Sequence, residues 1–385
     1  MLGIANKKKR IAIGIFDYFG KLIFSPFKYF NKNKDLNGIK EILIVRVDGI
    51  GDVLLTLPAI SALRKSFPKA YITLIVNEQA KTIIEDNVKV DKVLTLNAPW
   101  FYGFRKSSIL EYLKLIKYLR GKNFDLVIDF KGDSRNIIFL LFLLKARIKV
   151  GSGLTGFGYL LDKNVHYDTN MHEIDNINTV LKSLEIKHVK KSFFKKTNKK
   201  IKIKVNKLFK RYNIKNKDFV VGLNLSPGYP SKQWDIKNFI ELSKKLVEVY
   251  NAKIILTGSK NDISLSKELM KNNQEGIINL VGKTSIRELI ELIKRCDLFL
   301  GSDSGPMHIS GLVGTPTITL FGPTDPKRWK PLGDKNIIIH KNMPCSPCGE
   351  HFNCSKQKEC MTKIKVKEVI DIINHKKLLI KNINI

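Results

Sequence analysis

EILIVRVDGIGDV, residues 41–53, runs a short apolar strand into a glycine turn, and LLTLPAISALRKSF follows it with helical spacing. FVVGLNLSPGYPSKQWD, residues 219–235, repeats the plan: an apolar strand, a Gly/Pro turn, then a helical pattern from about residue 236 to 250. Each stretch opens a train of alternating strands and helices. In the first half strands read near 71–76, 92–96, 124–130 and 146–150; in the second they read near 253–257, 277–281, 297–301 and 316–320. Short, continuously apolar strands between helical patterns mean parallel sheets buried on both faces. The expectation is an α/β chain of two doubly wound, Rossmann-like domains, with ligands at the carboxyl ends of the strands and a site in the cleft between them.

Length agrees with that division. At 385 residues the chain exceeds the roughly 250–300 at which single cores stop growing. With 43% hydrophobic residues it can bury real cores, which excludes a disordered tail protein. The longest apolar run, Ile137–Leu144, falls short of the ~18–20 residues needed to span a bilayer. The basic start lacks a small-residue cleavage site and carries Asp17, which argues against a signal peptide. Five cysteines in a chain this long are no disulfide scaffold, so a cytoplasmic protein is expected.

Net charge is +33, and two short stretches carry most of it. Residues 1–40 hold nine Lys/Arg and two Asp, mixed with residues such as Ile11, Phe16, Phe19 and Leu22. This pattern suggests a helix lying on an anionic membrane surface, with Pro26 ending or kinking it; a mobile arm is the alternative. Residues 187–217 hold fourteen Lys/Arg and no acid. They show neither a recognition-helix pattern nor zinc-finger spacing, so nucleic acid is not an expected partner. A solvated connection, or a basic rim that attracts a phosphorylated substrate, is expected instead. The domains thus read as an extension over 1–39, a first domain over 40–186, a basic connection over 187–217 and a second domain over 218–385.

Three turns carry chemistry. In GSDSGPMHISGLVGTPTITLFGPTDP, residues 301–326, a strand ends at Gly301 and Asp303 or Ser304 caps a helix that starts Gly305-Pro306. Bare amides at this helix start suit a diphosphate, His308 lies in its first turn, and the next strand delivers Phe321–Asp325 to the same edge. In SPGYPSKQW, residues 226–234, Ser226 offers a hydroxyl, Gly228 a bare backbone and Lys232 a point charge for phosphate, while Trp234 packs beneath. In RVDGIGDVLLTLP, residues 46–58, the glycines do not form G-x-G-x-x-G; Asp52 is either a helix cap or a general base. Cys345, Cys348, Cys354 and Cys360 lie within sixteen residues, a spacing open to a structural zinc site, an iron–sulfur cluster or plain thiols, with no position left for catalysis. Cys296 reads as core.

Together, ILIVRVDGIGDVLLTLPAISALRKSFP, SPGYPSKQWD, LVGKTSIRELIELIKRCDLFLGSDSGPMHISGLVGTPTITLFGPTDP and CSPC…CM resemble glycosyltransferase family 9, the bacterial lipopolysaccharide heptosyltransferases, from about residue 40 to 365. The resemblance implies a GT-B fold and an inverting transfer of heptose from ADP-heptose to an acceptor sugar of lipid A–core, a glycolipid; with the basic extension, the expected place is the inner face of the cytoplasmic membrane. It implies Asp52 as catalytic base and Lys232 as the donor-phosphate lysine. It also implies Asp303, Gly305 and His308 in the donor stretch with Ser304, and Asp262 as the nearest acid for a ribose contact. No divalent metal is implied for catalysis, and the chain has no D-x-D pair. Arg46, Lys131 and Arg135 are candidates for an anionic acceptor. The alternatives are a transferase using another nucleotide sugar and a non-catalytic, nucleotide-sugar-binding membrane adaptor.

Overall fold

The computed structural model describes residues 7–29, 35–87, 89–187, 199–272, 275–349, 354 and 356–375. Two compact units divide the chain at Phe193–Phe194.

The first unit is built on a six-stranded sheet of β1 (Glu41–Arg46), β2 (Tyr71–Val76), β3 (Lys92–Thr95), β4 (Phe124–Asp129), β5 (Ala146–Gly151) and β6 (Lys163–Asn164). Its order is β3-β2-β1-β4-β5-β6, with every pair parallel. The second holds β7 (Val220–Asn224), β8 (Lys253–Thr257), β9 (Ile277–Asn279), β10 (Leu298–Ser302), β11 (Thr317–Phe321) and β12 (Asn336–His340), ordered β9-β8-β7-β10-β11-β12 and again all parallel. Both sheets therefore reverse their strand order beside their first strand. In open α/β sheets the ligand crevice lies at that reversal, outside the strand carboxyl ends. The reversal falls between β1 and β4 in one unit and between β7 and β10 in the other, at the turns that the sequence singled out.

In the first unit, helix α1 (Lys7–Tyr29) precedes the sheet, α2 (Ile50–Ser66) follows β1 and α3 (Glu173–Ser183) follows β6. Residues Val53–Ile60 of α2 are all buried, as expected of a helix apolar on every side. Pro26 does not end α1, which continues to Tyr29. The proline falls in the last turn, where the carbonyl of exposed Leu22, deprived of its amide donor, is within reach of water. The second unit carries α4 (Lys199–Arg211), α5 (Ile236–Tyr250), α6 (Ile286–Ile293) and α7 (Gly305–Val313). Thirteen residues of the basic connection are thus the helix α4, and residues 188–198 lie outside the described part. Val205 buries that helix, and apolar side chains spaced four apart give it one packing face. Trp234 is fully buried under its turn, edge-on to Phe239 with centroids 4.9 Å apart, and its indole Nε1 donates to the Ile364 carbonyl.

Candidate functional site

At the β1–β4 reversal the structure gathers five charged side chains. Arg46, the last residue of β1, has no solvent exposure. Its guanidinium donates to the Phe130 carbonyl, pairs with Asp48 at 3.1 Å and Glu173 at 3.1 Å, and reaches Asp52 Oδ1 at 3.2 Å. Lys131, just past β4, lies 2.8 Å from Asp48 Oδ2 and 3.7 Å from Asp52 Oδ1. One oxygen of Asp52 is thus drawn toward two cations, while its side chain keeps 19% exposure, the most of the three carboxylates. Its main-chain carbonyl accepts from the Thr56 hydroxyl at 2.9 Å, which ties the residue into the first turns of α2.

Burial and charge pull against each other here. Burial raises the Asp48 carboxyl above its ordinary value, with Arg46 opposing. Burial lowers the Lys131 ammonium, but Asp48 and Asp52 outweigh it and leave the group raised; Asp48, Glu173 and Asp52 do the same for Arg46. Asp129 closes β4 and is pushed up to about 6 by burial, against hydrogen bonds from the Asn136 amide and the Gly132 N–H. A buried cation with this many anionic partners is a scaffold for the cluster, since removing that cation strands the carboxylates around it.

Arg46 therefore has no surface to offer an acceptor, which departs from the expectation. Lys131 keeps 24% exposure and faces the carboxylates. Arg135 forms a two-pronged pair with Asp133 (2.8 and 2.7 Å), donates to the Trp100 carbonyl and lies over the Phe101 ring. With 45% exposure it remains accessible to an anion.

At the β7–β10 reversal three turns meet. Lys232 Nζ donates to Asp303 Oδ2 at 2.6 Å, and the Thr324 hydroxyl donates to the same oxygen at 2.7 Å. All three residues are buried. The Asn224 amide joins the Ser226 carbonyl and the Ser304 hydroxyl, tying the β7 turn to the β10 turn. Gly228 sits at φ 76°, a left-handed conformation that suits glycine. Neither Asp303 nor Ser304 caps α7: the first is held by Lys232 and Thr324, and the Ser304 hydroxyl turns back to the Ser302 carbonyl. The start of α7 therefore has no side-chain cap; Pro306 carries no N–H and the Met307 N–H donates to the Ser304 carbonyl, which leaves the Gly305 amide as the donor this helix start can offer an anion. His308, in the same first turn, is buried.

Asp262 is engaged differently from the expectation. Its Oδ2 accepts from the Ser259 N–H at 2.8 Å and hydroxyl at 2.5 Å, closing the turn after β8; the residue is buried, and Oδ1 takes no part in those two bonds. The cysteine loop leans on the donor-side turn, since the Cys348 and Gly349 N–H groups donate to the Pro323 carbonyl. Cys345 and Cys348 are exposed and Cys360 is buried. Among the described residues no group of three or more His, Cys, Asp or Glu side chains is placed to hold a metal ion. Cys296 is buried, its thiol pushed up by burial.

Sequence reasoning missed Asp48 and Glu173. Asp48 was legible, four residues before Asp52 in the same turn. Glu173 was not, because only the fold brings it to Arg46 across 127 residues.

Known proteins are similar to this chain in sequence and fold. The family model described as Glycosyltransferase family 9 (heptosyltransferase) matches residues 112–359. Lipooligosaccharide heptosyltransferase 2 of Campylobacter jejuni is 28% identical over 330 residues, covering 84% of this chain and 95% of that protein. Lipopolysaccharide heptosyltransferase 3 of Escherichia coli K12 is 30% identical over 298 residues, 75% of this chain and 84% of that one. Among solved structures, the E. coli ADP-heptose lps heptosyltransferase II superposes with a TM-score of 0.68 at 19% identity, covering 89% of this chain and 99% of that chain.

Proposed function

Because the chain belongs to glycosyltransferase family 9, we propose that it transfers heptose from ADP-heptose to a sugar of a lipopolysaccharide-core or related glycolipid acceptor, with inversion at the anomeric carbon. The observation that carries this reading is the pairing of two sites at equivalent sheet reversals: a carboxylate cluster at one and a lysine with an uncapped helix N-terminus at the other. Asp52 takes the proton of the acceptor hydroxyl as it attacks the anomeric carbon. The bond to the diphosphate breaks in the same step, and negative charge grows on the leaving ADP. Lys232 and the uncapped N-terminus of α7 oppose that charge, and stabilise the transition state more than the ground state. Asp303 and Thr324 fix where the ammonium sits. Arg46 and Lys131 orient the base; Arg135 is the cation left to meet an anionic acceptor.

Lys232→Ala is expected to weaken ADP binding by about tenfold or more, since charge-assisted hydrogen bonds contribute about 1.5–3 kcal/mol. Calorimetry checks it, and unchanged affinity would remove Lys232 from the donor site. A panel of nucleotide sugars read by mass spectrometry tests the donor: ADP-heptose is expected to be consumed, and preference for a UDP-hexose would overturn the assignment.

The acceptor's setting follows from α1. Its inner face docks on the first unit: Asp17 accepts from the Phe157 N–H at 2.7 Å, Phe24 packs against the Tyr159 ring, and Gly20 lies where a Cβ would meet that ring at 2.2 Å. The outer face leaves Ile11, Ile15, Phe16, Phe19, Leu22 and Ile23 more than half exposed. The single acid of the helix is spent on docking, and Lys21 is exposed together with these apolar groups. No helix among the described residues is long and apolar enough to cross a membrane. We read α1 as lying on the anionic inner face of the cytoplasmic membrane, where the acceptor is held. Burying one large apolar side chain contributes about 1.5–3 kcal/mol, so Phe16→Ser/Phe19→Ser should lower co-sedimentation with anionic vesicles at least about tenfold. Unchanged binding would place the membrane contact elsewhere.

A further inference from the structure

The basic helix α4 has no part in the chemistry described so far. Seven of its thirteen residues are Lys or Arg and none is acidic. It is fastened to the second unit by buried Val205, by Lys204 pairing with Glu288 of α6, and by Arg295 stacked 5.2 Å from the Phe209 ring. Beside those fastenings Lys204, Lys207 and Arg211 face Lys283 across a groove of about 310 Å³ floored by Leu208, Leu280 and Tyr212. Glu288 meets Lys204 and holds its own carboxyl below the ordinary range through that contact and the Ser285 hydrogen bonds, against its burial. Lys283 Nζ donates to the Asn279 carbonyl, and among the described residues neither Lys207 nor Arg211 has a carboxylate partner.

Four cations thus line one concavity, and among the described residues Lys204 is the one of them paired with a carboxylate, Glu288. The mutual repulsion is relieved by an anion, and a groove with apolar walls focuses the field on it. Its place in the fold points the same way. Lys283 follows β9, so the groove opens at the carboxyl edge of the sheet that also carries the Lys232 and α7 turns. Strand spacing puts β9 roughly 10 Å from β7, too far for one diphosphate to serve both positions.

We propose that the groove between α4 and the β9 turn is a second anion site that takes a phosphate ester, with Lys207, Arg211 and Lys283 as its cations and the Tyr212 hydroxyl as a further donor. The phosphate comes either from a soluble phosphorylated ligand or from a lipid headgroup.

The full chain carrying Lys232→Ala, which silences the donor turn, is titrated with inorganic pyrophosphate and compared with the same protein bearing Lys207→Gln/Arg211→Gln/Lys283→Gln. A second comparison uses Phe16→Ser/Phe19→Ser protein with vesicles of phosphatidylglycerol and phosphatidylethanolamine, with and without the three glutamines. A loss of about tenfold or more in pyrophosphate affinity supports a site for soluble phosphate. A comparable loss confined to vesicles assigns the phosphate to the headgroup. Lys207→Arg/Lys283→Arg, which keeps the charge, is expected to retain binding in whichever arm responds. If neither ligand distinguishes the glutamine variant while its melting temperature is intact, the groove is merely a solvated face and the proposal fails.

Discussion

Asp52→Asn is expected to lower turnover by about 10²–10⁴-fold, the usual share of general base catalysis, and to leave ADP affinity unchanged. The substitution keeps the shape of the side chain and an oxygen for the Arg46 guanidinium, 3.2 Å away, but removes the group that accepts the proton. Folding should change little. Asp52 lies in the first turn of α2, where a negative charge contributes about 0.3–1 kcal/mol through the helix dipole. A melting curve close to that of the parent, beside a collapsed kcat, is therefore the signature of a base. Normal turnover would reduce Asp52 to a charge at a helix end and move the base elsewhere.

Arg46→Met is expected to cost about 3–5 kcal/mol of stability, because it takes the guanidinium from buried Glu173 and leaves Asp48 with Lys131 alone. Glu173 has no exposure and Asp48 has 5%, so neither can recover its hydration without opening the unit. The loss should also depend on pH. Asp48 already sits above its unfolded value of 3.8 through burial, and removal of Arg46 raises it further. A carboxyl raised in the folded state binds more protons folded than unfolded, so its stability contribution falls as pH rises through that window. The variant should therefore recover part of its deficit in urea unfolding as pH is lowered from neutral toward the ordinary carboxylate range. Arg46→Lys keeps the charge, but one ammonium cannot serve Phe130, Asp48, Asp52 and Glu173 together, so its rescue should be partial. A loss below about 1 kcal/mol would mean that the cluster behaves as a solvated surface network.

The doubly wound sheets were legible because parallel strands buried on both faces leave uninterrupted apolar runs, and β1, β4, β7 and β10 all have them. The β12 strand, Asn336–His340, was missed; it sits at the sheet edge with most of its residues only half-buried, so its pattern is weaker. Local turns announced Asp52, Lys232 and Asp303, because glycine, proline and a charged residue fall together after a strand. What those residues touch was not legible. That Lys232 and Thr324 share one oxygen of Asp303 depends on three turns separated by up to 92 positions meeting at one edge. Arg46 looked like a surface cation since arginine is rarely buried, and only the arrival of Glu173 and Asp48 explains why burial is tolerated. Asp262 was named through the family resemblance as the nearest acid for a ribose, and its closure of the turn through Oδ2 was not legible.

The most direct test of the account follows the anomeric centre. Purified protein given ADP-heptose and a core glycolipid lacking heptose is expected to release ADP, and NMR of the product should show the transferred sugar with anomeric configuration opposite to that of the donor. A product with retained configuration would contradict a one-step displacement driven by Asp52, and ADP-heptose left intact beside that acceptor would contradict the donor assignment itself.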